Sequence, residues 1–153
     1  MYNPGSHYKV FKDILKYVHE AGNGTGPIEE VGNQQLYKTG VLMGIMTVEA
    51  INKATEKYGN KPMSGEQVRW GIENLDLTSE RLEKMGIKDF IPNVKISCAD
   101  HEGGAPVKFQ RWNGTSFEPA SDWVTTDQNI VRPMIEASSS AYAAEKGITP
   151  RCN

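Results

Sequence analysis

The chain has 153 residues, of which 38% are hydrophobic and 24% are charged. This composition excludes disordered and fibrous proteins, and the length fits one domain or a piece of a longer protein. The net charge of −2 gives no general attraction to nucleic acid or to an anionic membrane, so we expect no nucleic-acid partner.

The N-terminus and the cysteines bear on cellular location. The first residues, MYNPGSHYKVF, contain no charged leader followed by an apolar core, so we expect no signal peptide in this chain. The two cysteines, Cys98 and Cys152, form no CxxC pair, which argues against a structural zinc site. They are either two unrelated thiols or a disulfide that ties the C-terminal tail to a strand.

Apolar periodicity predicts a first helix from His7 to Ala21, with one buried stripe and an end at Gly22. The stretch from Leu36 to Tyr58 predicts a longer helix. Its centre, Val41 to Ile51, has eight apolar residues among eleven. We therefore expect this helix to be buried on most of its circumference.

Two shorter helices follow. Ser64 and Gln67 have the spacing of a capping box, which predicts a helix start at Ser64. Thr78 or Ser79 is suited to cap a second short helix that runs through Met85.

The pattern then changes to alternation, which predicts a strand from Val94 to Cys98. A second alternating run leads into Asn113-Gly114, which predicts a hairpin with a two-residue turn. Pro133 suits the first position of a last helix, which we expect to end at Lys146.

The predicted elements leave the long helix without enough apolar surface to cover it. No β-branched run alternates with the first three helices, although such an apolar helix is typical of one that lies on a parallel sheet. We therefore expect either tight helix–helix packing or a sheet that another part of the protein, or a partner, supplies.

Three segments in order resemble one protein family: KPMSGEQVRWGIENL (61–75), VKISCADHEGG (94–104) and FQRWNG (109–114). Together they resemble the C-terminal part of type I periplasmic substrate-binding proteins of ABC transporters, of the branched-chain-amino-acid or leucine-binding-like group. The resemblance extends over nearly the whole chain, from about Tyr8 to Ile148.

This resemblance implies an α/β fold, the C-terminal part of a two-lobed protein. In isolation it would consist of several helices, an antiparallel hairpin and a C-terminal helix. Residues 1–153 would form a single partial domain whose N-terminal sheet is absent. The implied function is a fragment of a solute-binding component, which captures an amino acid or similar small polar metabolite and presents it to an ABC transporter permease. The full-length parent would be periplasmic or extracellular.

The resemblance also implies one ligand-binding residue, Tyr37, which matches an aromatic position near the start of a helix that faces the ligand. An amino acid is the leading ligand class, and small carboxylate or aromatic compounds are the alternatives. The main ligand-binding residues of the family would lie outside this chain.

The cluster Asp100-His101-Glu102 is the strongest candidate for other chemistry. Adjacent residues of one loop rarely all face one ion, so we expect Asp100 and His101 to hydrogen-bond a turn instead. No nucleophile motif or phosphate-binding loop appears, and we expect no enzyme activity, no cofactor and no metal. The alternative function is a stand-alone interaction or oligomerisation domain that uses the Leu36–Tyr58 helix, with a homo-oligomer as one outcome.

Overall fold

The computed structural model describes residues 7–32, 34–104, 106–115, 117–149 and 151–152. The chain divides into two compact units, one up to Lys95 and one from Ile96 onward. In the first unit, α1 (Lys9–Ile14) continues directly as a π-helical turn (Leu15–His19). A 3-10 turn (Ile28–Glu30) and three further helices follow: α2 (Gln35–Tyr58), α3 (Gly65–Ile72) and α4 (Ser79–Lys84). Its strands are β1 (Asp76–Leu77) and β2 (Val94–Lys95), and the second unit contains β3 (Gln110–Trp112), β4 (Phe117–Pro119) and α5 (Gln128–Lys146).

Helices α2 and α3 form the closest helix pair of the first unit. A β-carbon at Gly71 would lie 2.0 Å from the carbonyl oxygen of Ala50 and 3.2 Å from the β-carbon of Ala54. The two helices therefore approach closely only because small residues meet at the crossing. Near the end of α2, the ring of Tyr58 meets Trp70 edge-on at 5.7 Å, which continues the same contact.

The core of the first unit lies on the α3–α4 side of α2. Phe11 of α1 is fully buried and packs edge-on against Phe90, with ring centroids 5.5 Å apart. The other buried hydrophobic residues are Val31, Ala50, Ala54, Leu75, Leu77, Leu82, Ile87 and Ile91. Strands β1 and β2 pair antiparallel beside this core, with Leu77 opposite Val94.

The second unit contributes no fully buried hydrophobic residue among those that the structure describes. A disulfide joins Cys98 to Cys152, with Cα atoms 5.5 Å apart. Strands β3 and β4 pair antiparallel, and Trp112 lies opposite Phe117. One disulfide and one strand pair therefore stabilise this unit in place of a buried apolar core.

The mixed helix and strand content confirms the coarse α/β class. A two-lobed fold is not seen: within the described residues, the strands form two small antiparallel pairs. The disulfide of the second cysteine alternative is confirmed, but Cys98 lies in a bend beyond β2 and not in a strand, because β2 ends at Lys95.

Several predicted boundaries are correct and others are wrong. The long helix and the capping box at Ser64 are confirmed, since Ser64 Oγ accepts from the Gln67 amide at 3.3 Å and Gln67 Oε1 accepts from the Ser64 amide at 2.9 Å. The hairpin is confirmed, but four residues, not two, separate Trp112 from Phe117. The start at Pro133 is wrong, because Asp127 caps α5 through the Asn129 amide and Pro133 lies inside the helix.

The prediction that the long helix is buried on most of its circumference is wrong. The buried residues of α2 are Lys38, Glu49, Ala50 and Ala54, and these are polar or small. Its larger apolar side chains are half-buried or exposed. The reason is that α3 meets α2 at Ala50 and Ala54 and α4 meets it at Glu49, so that the described elements of the first unit cover mainly the C-terminal half of α2.

No helix in the described ranges combines the length and the apolar character that crossing a bilayer requires.

Candidate functional site

The exposed side of α2 is the most extensive uncovered apolar surface of the first unit. The exposed fractions are 78% for Leu36, 65% for Met43, 55% for Val48 and 42% for Ile51. Their spacing of seven, five and three residues places them on one side of a 3.6-residue helix. We call these four residues the α2 face.

Two glycines widen the α2 face. A β-carbon at Gly40 or Gly44 would meet no atom within 4 Å, so open space lies above both positions. Thr47, between them and Val48, turns its hydroxyl back to the carbonyl of Met43 at 2.8 Å. Its hydrogen-bond donor is therefore satisfied within the helix, and Thr47 does not require a polar partner from outside.

Tyr37, the predicted ligand contact, lies half-buried in the first turn of α2. In the same turn, Oε1 of Gln35 is buried and receives no hydrogen bond from the described part of the chain. Lys38 is 2% exposed, and burial lowers the pKa of its amine. These three polar residues share the first turn of α2, where Tyr37 lies two positions from Gln35 and therefore points to a different side of the helix.

A concave site of about 530 Å³ lies between α2, β1 and α4. At its wall, Arg81 donates from Nε and Nη2 to the two carboxylate oxygens of Glu49, at 2.7 and 2.5 Å. Asn52 adds a further hydrogen bond to Glu49 at 3.2 Å. The Arg81 hydrogen bond lowers the pKa of the Glu49 carboxyl, against the opposing effect of burial. Both oxygens of Glu49 are engaged, so the pair fastens α4 to α2 and leaves no free acid or base.

The Asp100 loop of the second unit also has a structural role. Oδ1 of Asp100 accepts from the amides of Glu102 and Gly103, each at 3.1 Å, which confirms the predicted turn for Asp100. His101 is exposed. No group of three or more His, Cys, Asp or Glu side chains within the described ranges could hold a metal ion.

Arg132 of α5 is a residue that sequence reasoning missed. It donates to the carbonyl of Ala99, lies 3.5 Å from Oδ1 of Asp100, and donates to Glu136 of its own helix at 3.1 Å. Only the last partner has a helical spacing that a sequence reveals. The other contacts cross 33 and 32 residues, so no local signal indicated them.

One comparison with known proteins finds a similar structure. A solved structure described as an ABC transporter permease from the Pseudomonas fluorescens group is similar to this chain, with a TM-score of 0.90 and 35% sequence identity. The similarity covers 99% of this chain and 37% of that chain. No protein-family profile and no curated protein matches the chain.

This similarity overturns the identification of the chain as a type I periplasmic substrate-binding protein. The similar structure is that of a permease, and neither a family profile nor a curated relative supports the earlier identification. The resemblance was misleading because of the structural roles of the three segments on which it rested, 61–75, 94–104 and 109–114. They contribute the capping box of Ser64, the turn of Asp100 and the end of β3, which are structural features that different protein families can share.

The function that followed from the identification is wrong for the same reason. The similarity indicates a relation to a transporter component, not a fragment of a solute-binding component. The alternative, a stand-alone interaction or oligomerisation domain built on the Leu36–Tyr58 helix, has no support either. The chain is thus similar, over nearly its whole length, to rather more than a third of a larger protein.

Proposed function

We propose that this chain is part of an ABC transporter component and serves transport of a small molecule across a membrane, without a catalytic role of its own. The observation that carries the proposal is the similarity over 99% of the chain, at 35% identity, to a protein described as an ABC transporter permease. A TM-score of 0.90 means that the similarity includes the arrangement of the helices as well as the sequence.

Affinity purification tests this proposal. The chain is tagged at its own chromosomal locus, and solubilised membranes are bound to the affinity resin under low detergent. We expect an ABC-type ATP-binding subunit and a membrane-spanning subunit to be recovered in a fixed ratio to the chain. An abundant periplasmic protein with the same tag is the control. Recovery of the chain without an ATP-binding subunit would contradict the proposal.

The proposal includes a periplasmic or extracellular position for the protein that contains this chain. The Cys98–Cys152 disulfide supports this, because disulfides persist in oxidising compartments and are rare in the reducing cytosol. The test is to quench cells with acid and then alkylate free thiols. We expect neither cysteine to react until a reductant is added. Alkylation of both thiols in unreduced samples would place the chain in a reducing compartment.

The proposal also includes a contact between Tyr37 and the small molecule that the transporter carries, an amino acid or a small carboxylate or aromatic compound. The half-buried ring of Tyr37, in the same helix turn as Gln35 and Lys38, supports a contact with a polar ligand at this end of α2. Melting of the purified chain with a panel of such compounds tests it. We expect a compound that raises the melting temperature of the wild type to have less effect on Tyr37→Ala. An equal shift in both proteins would remove Tyr37 from the site.

A further inference from the structure

The disulfide of the second unit opens onto a concave surface of that unit. Cys98 is half-buried and Cys152 is exposed, and both line a concavity of about 460 Å³. The charged or titratable side chains that line the same concavity are His101, Glu102, Arg132 and Glu136. Thiols in solution attack exposed disulfides, whereas buried structural disulfides resist reduction. This disulfide is therefore placed where a small thiol can reach it.

The two cysteines differ in how a thiol can approach them. Cys98 lies in a turn that is held in place, because the amides of Ser97 and Asp100 each donate to the other's carbonyl, at 3.0 and 3.2 Å. Cys152 is the more exposed of the two cysteines. Since access decides which sulfur of a disulfide is attacked, we expect attack at Cys152, with Cys98 as the leaving group.

The charges that line the concavity favour some thiols over others. Nε of Arg132 donates to Glu136 at 3.1 Å, so these two charges offset each other. The carboxylate of Glu102 has no hydrogen-bond or ion partner among the residues that the structure describes. When His101 is neutral, negative charge therefore exceeds positive charge in the concavity. This excess attracts a cationic thiol and repels an anionic one.

We propose that Cys152 is a site of covalent modification by small thiols of neutral or positive charge, which enter the concavity and exchange with the Cys98–Cys152 disulfide. The thiolate sulfur attacks Sγ of Cys152, a new S–S bond forms there, and the old one breaks as Cys98 leaves as a thiolate. One disulfide replaces another, so the step consumes no further oxidant or reductant. The second unit then loses its covalent closure. This inference does not depend on a role in transport.

Exchange of the purified chain with cysteamine, a cationic thiol, tests the proposal. Aliquots are quenched with acid and desalted, free thiols are alkylated, and peptide mass spectrometry locates both groups. We expect the cysteamine adduct on Cys152 and the alkyl group on Cys98. Oxidised 2-mercaptoethanol, a small uncharged disulfide, gives the reference rate. We expect the rate at the protein to lie within about tenfold of this reference.

A second thiol and a pair of variants test the route of attack. Each rate is divided by the rate of the same thiol with the reference disulfide. On this scale we expect cysteamine to react about three- to tenfold faster than the anionic 2-mercaptoethanesulfonate. Glu102→Gln should reduce this ratio toward one. Glu145→Gln is the control, because Glu145 is an exposed residue of α5 outside the concavity, and it should leave the ratio unchanged.

Three results would overturn the proposal. The first is the absence of an adduct on Cys152 after the reference disulfide has exchanged completely. The second is an adduct on Cys98, which would reverse the roles of the two cysteines. The third is a ratio of the two thiol rates that is close to one, or that Glu102→Gln leaves unchanged, since the concavity would then not be the route of attack.

Discussion

Gly71 shows how a single residue sets the distance between two helices. Its backbone lies so close to Ala50 that any β-carbon would fall inside van der Waals contact with the carbonyl oxygen. The position is helical, so the requirement is for space and not for an unusual backbone angle. A sequence shows a glycine in a helix, but it does not show which helix lies against it.

Substitution of Gly71 by alanine tests this contact. We expect Gly71→Ala to lower the free energy of unfolding by about 1–3 kcal/mol, because α3 must move away from α2 to admit the methyl group. Gly65→Ala is the matched control, since a β-carbon at Gly65 meets nothing within 4 Å. Urea unfolding of both variants gives the comparison, and equal stability of the two would contradict the close approach.

Lys38 makes the free energy of unfolding depend on pH in the alkaline range. Burial lowers the pKa of its amine in the folded chain, so the unfolded chain binds this proton more tightly. Stability should therefore rise as the pH increases from the folded pKa toward the unfolded value of about 10.4. We expect urea unfolding at pH 7 and pH 9.5 to show a larger rise for the wild type than for Lys38→Met. Identical pH slopes would show that Lys38 does not contribute.

At the scale of elements, the Glu49–Arg81 pair holds α4 against α2. Because the folded pKa of Glu49 is lowered, the pair stabilises the fold above the unfolded pKa of about 4.3, and this contribution is lost as the pH falls through the folded pKa. We expect Glu49→Gln to cost about 1.5 kcal/mol at pH 7, at the lower end for a charged hydrogen bond because Arg81 still reaches water.

The control for this prediction is Glu80→Gln, which removes the exposed ion pair of Glu80 with Lys84. We expect it to change the urea midpoint far less, since exposed pairs contribute little. The difference between Glu49→Gln and the wild type should shrink when unfolding is repeated at acid pH. A difference that stays constant with pH would mean that packing, not charge, accounts for the loss.

The second unit depends on its disulfide because it lacks a buried apolar core among the described residues. Cys98 and Cys152 are 54 residues apart, and the chain-entropy relation gives about 4 kcal/mol for a loop of this length. We expect Cys152→Ser to speed hydrogen exchange at the β3–β4 amides. Exchange in α3 of the first unit serves as the internal reference, and unchanged exchange at β3–β4 would contradict this role.

Local features of the sequence predicted most of the elements. The length of α2, the capping box of Ser64 and the β3–β4 hairpin follow from periodicity, from cap residues and from Asn113-Gly114. Strand β1 was missed because it has two residues and gives no alternation. The predicted start of α5 at Pro133 was wrong because Asp127 caps the helix further upstream. A proline this close to the helix start removes few internal hydrogen bonds, so the helix can continue through it.

The candidate site was less predictable than the elements. An apolar sequence shows that α2 needs a cover, but it does not show on which side the cover is missing. That depends on where the small residues Ala50, Ala54 and Gly71 place α3. Arg132 and Arg81 likewise act through partners that are distant in sequence. Tyr37 as a ligand contact stays a prediction.

At the scale of the whole molecule, the incomplete cover of α2 and the length of the similar protein agree. The chain keeps the fold of rather more than a third of a larger protein and leaves an apolar helix side uncovered. Both observations are in line with the proposed membership of an ABC transporter component.

Photo-cross-linking from residue 48 in living cells tests this account most directly. A photoreactive amino acid replaces Val48 in the chain expressed at its native level, and the cross-linked peptides are identified by mass spectrometry, with position 56 as the exposed control on the same helix. The account predicts that position 48, and not position 56, cross-links to peptides of an ABC transporter component outside the matched segment. Cross-links from position 48 to a second copy of this chain, or no difference between the two positions, would contradict it.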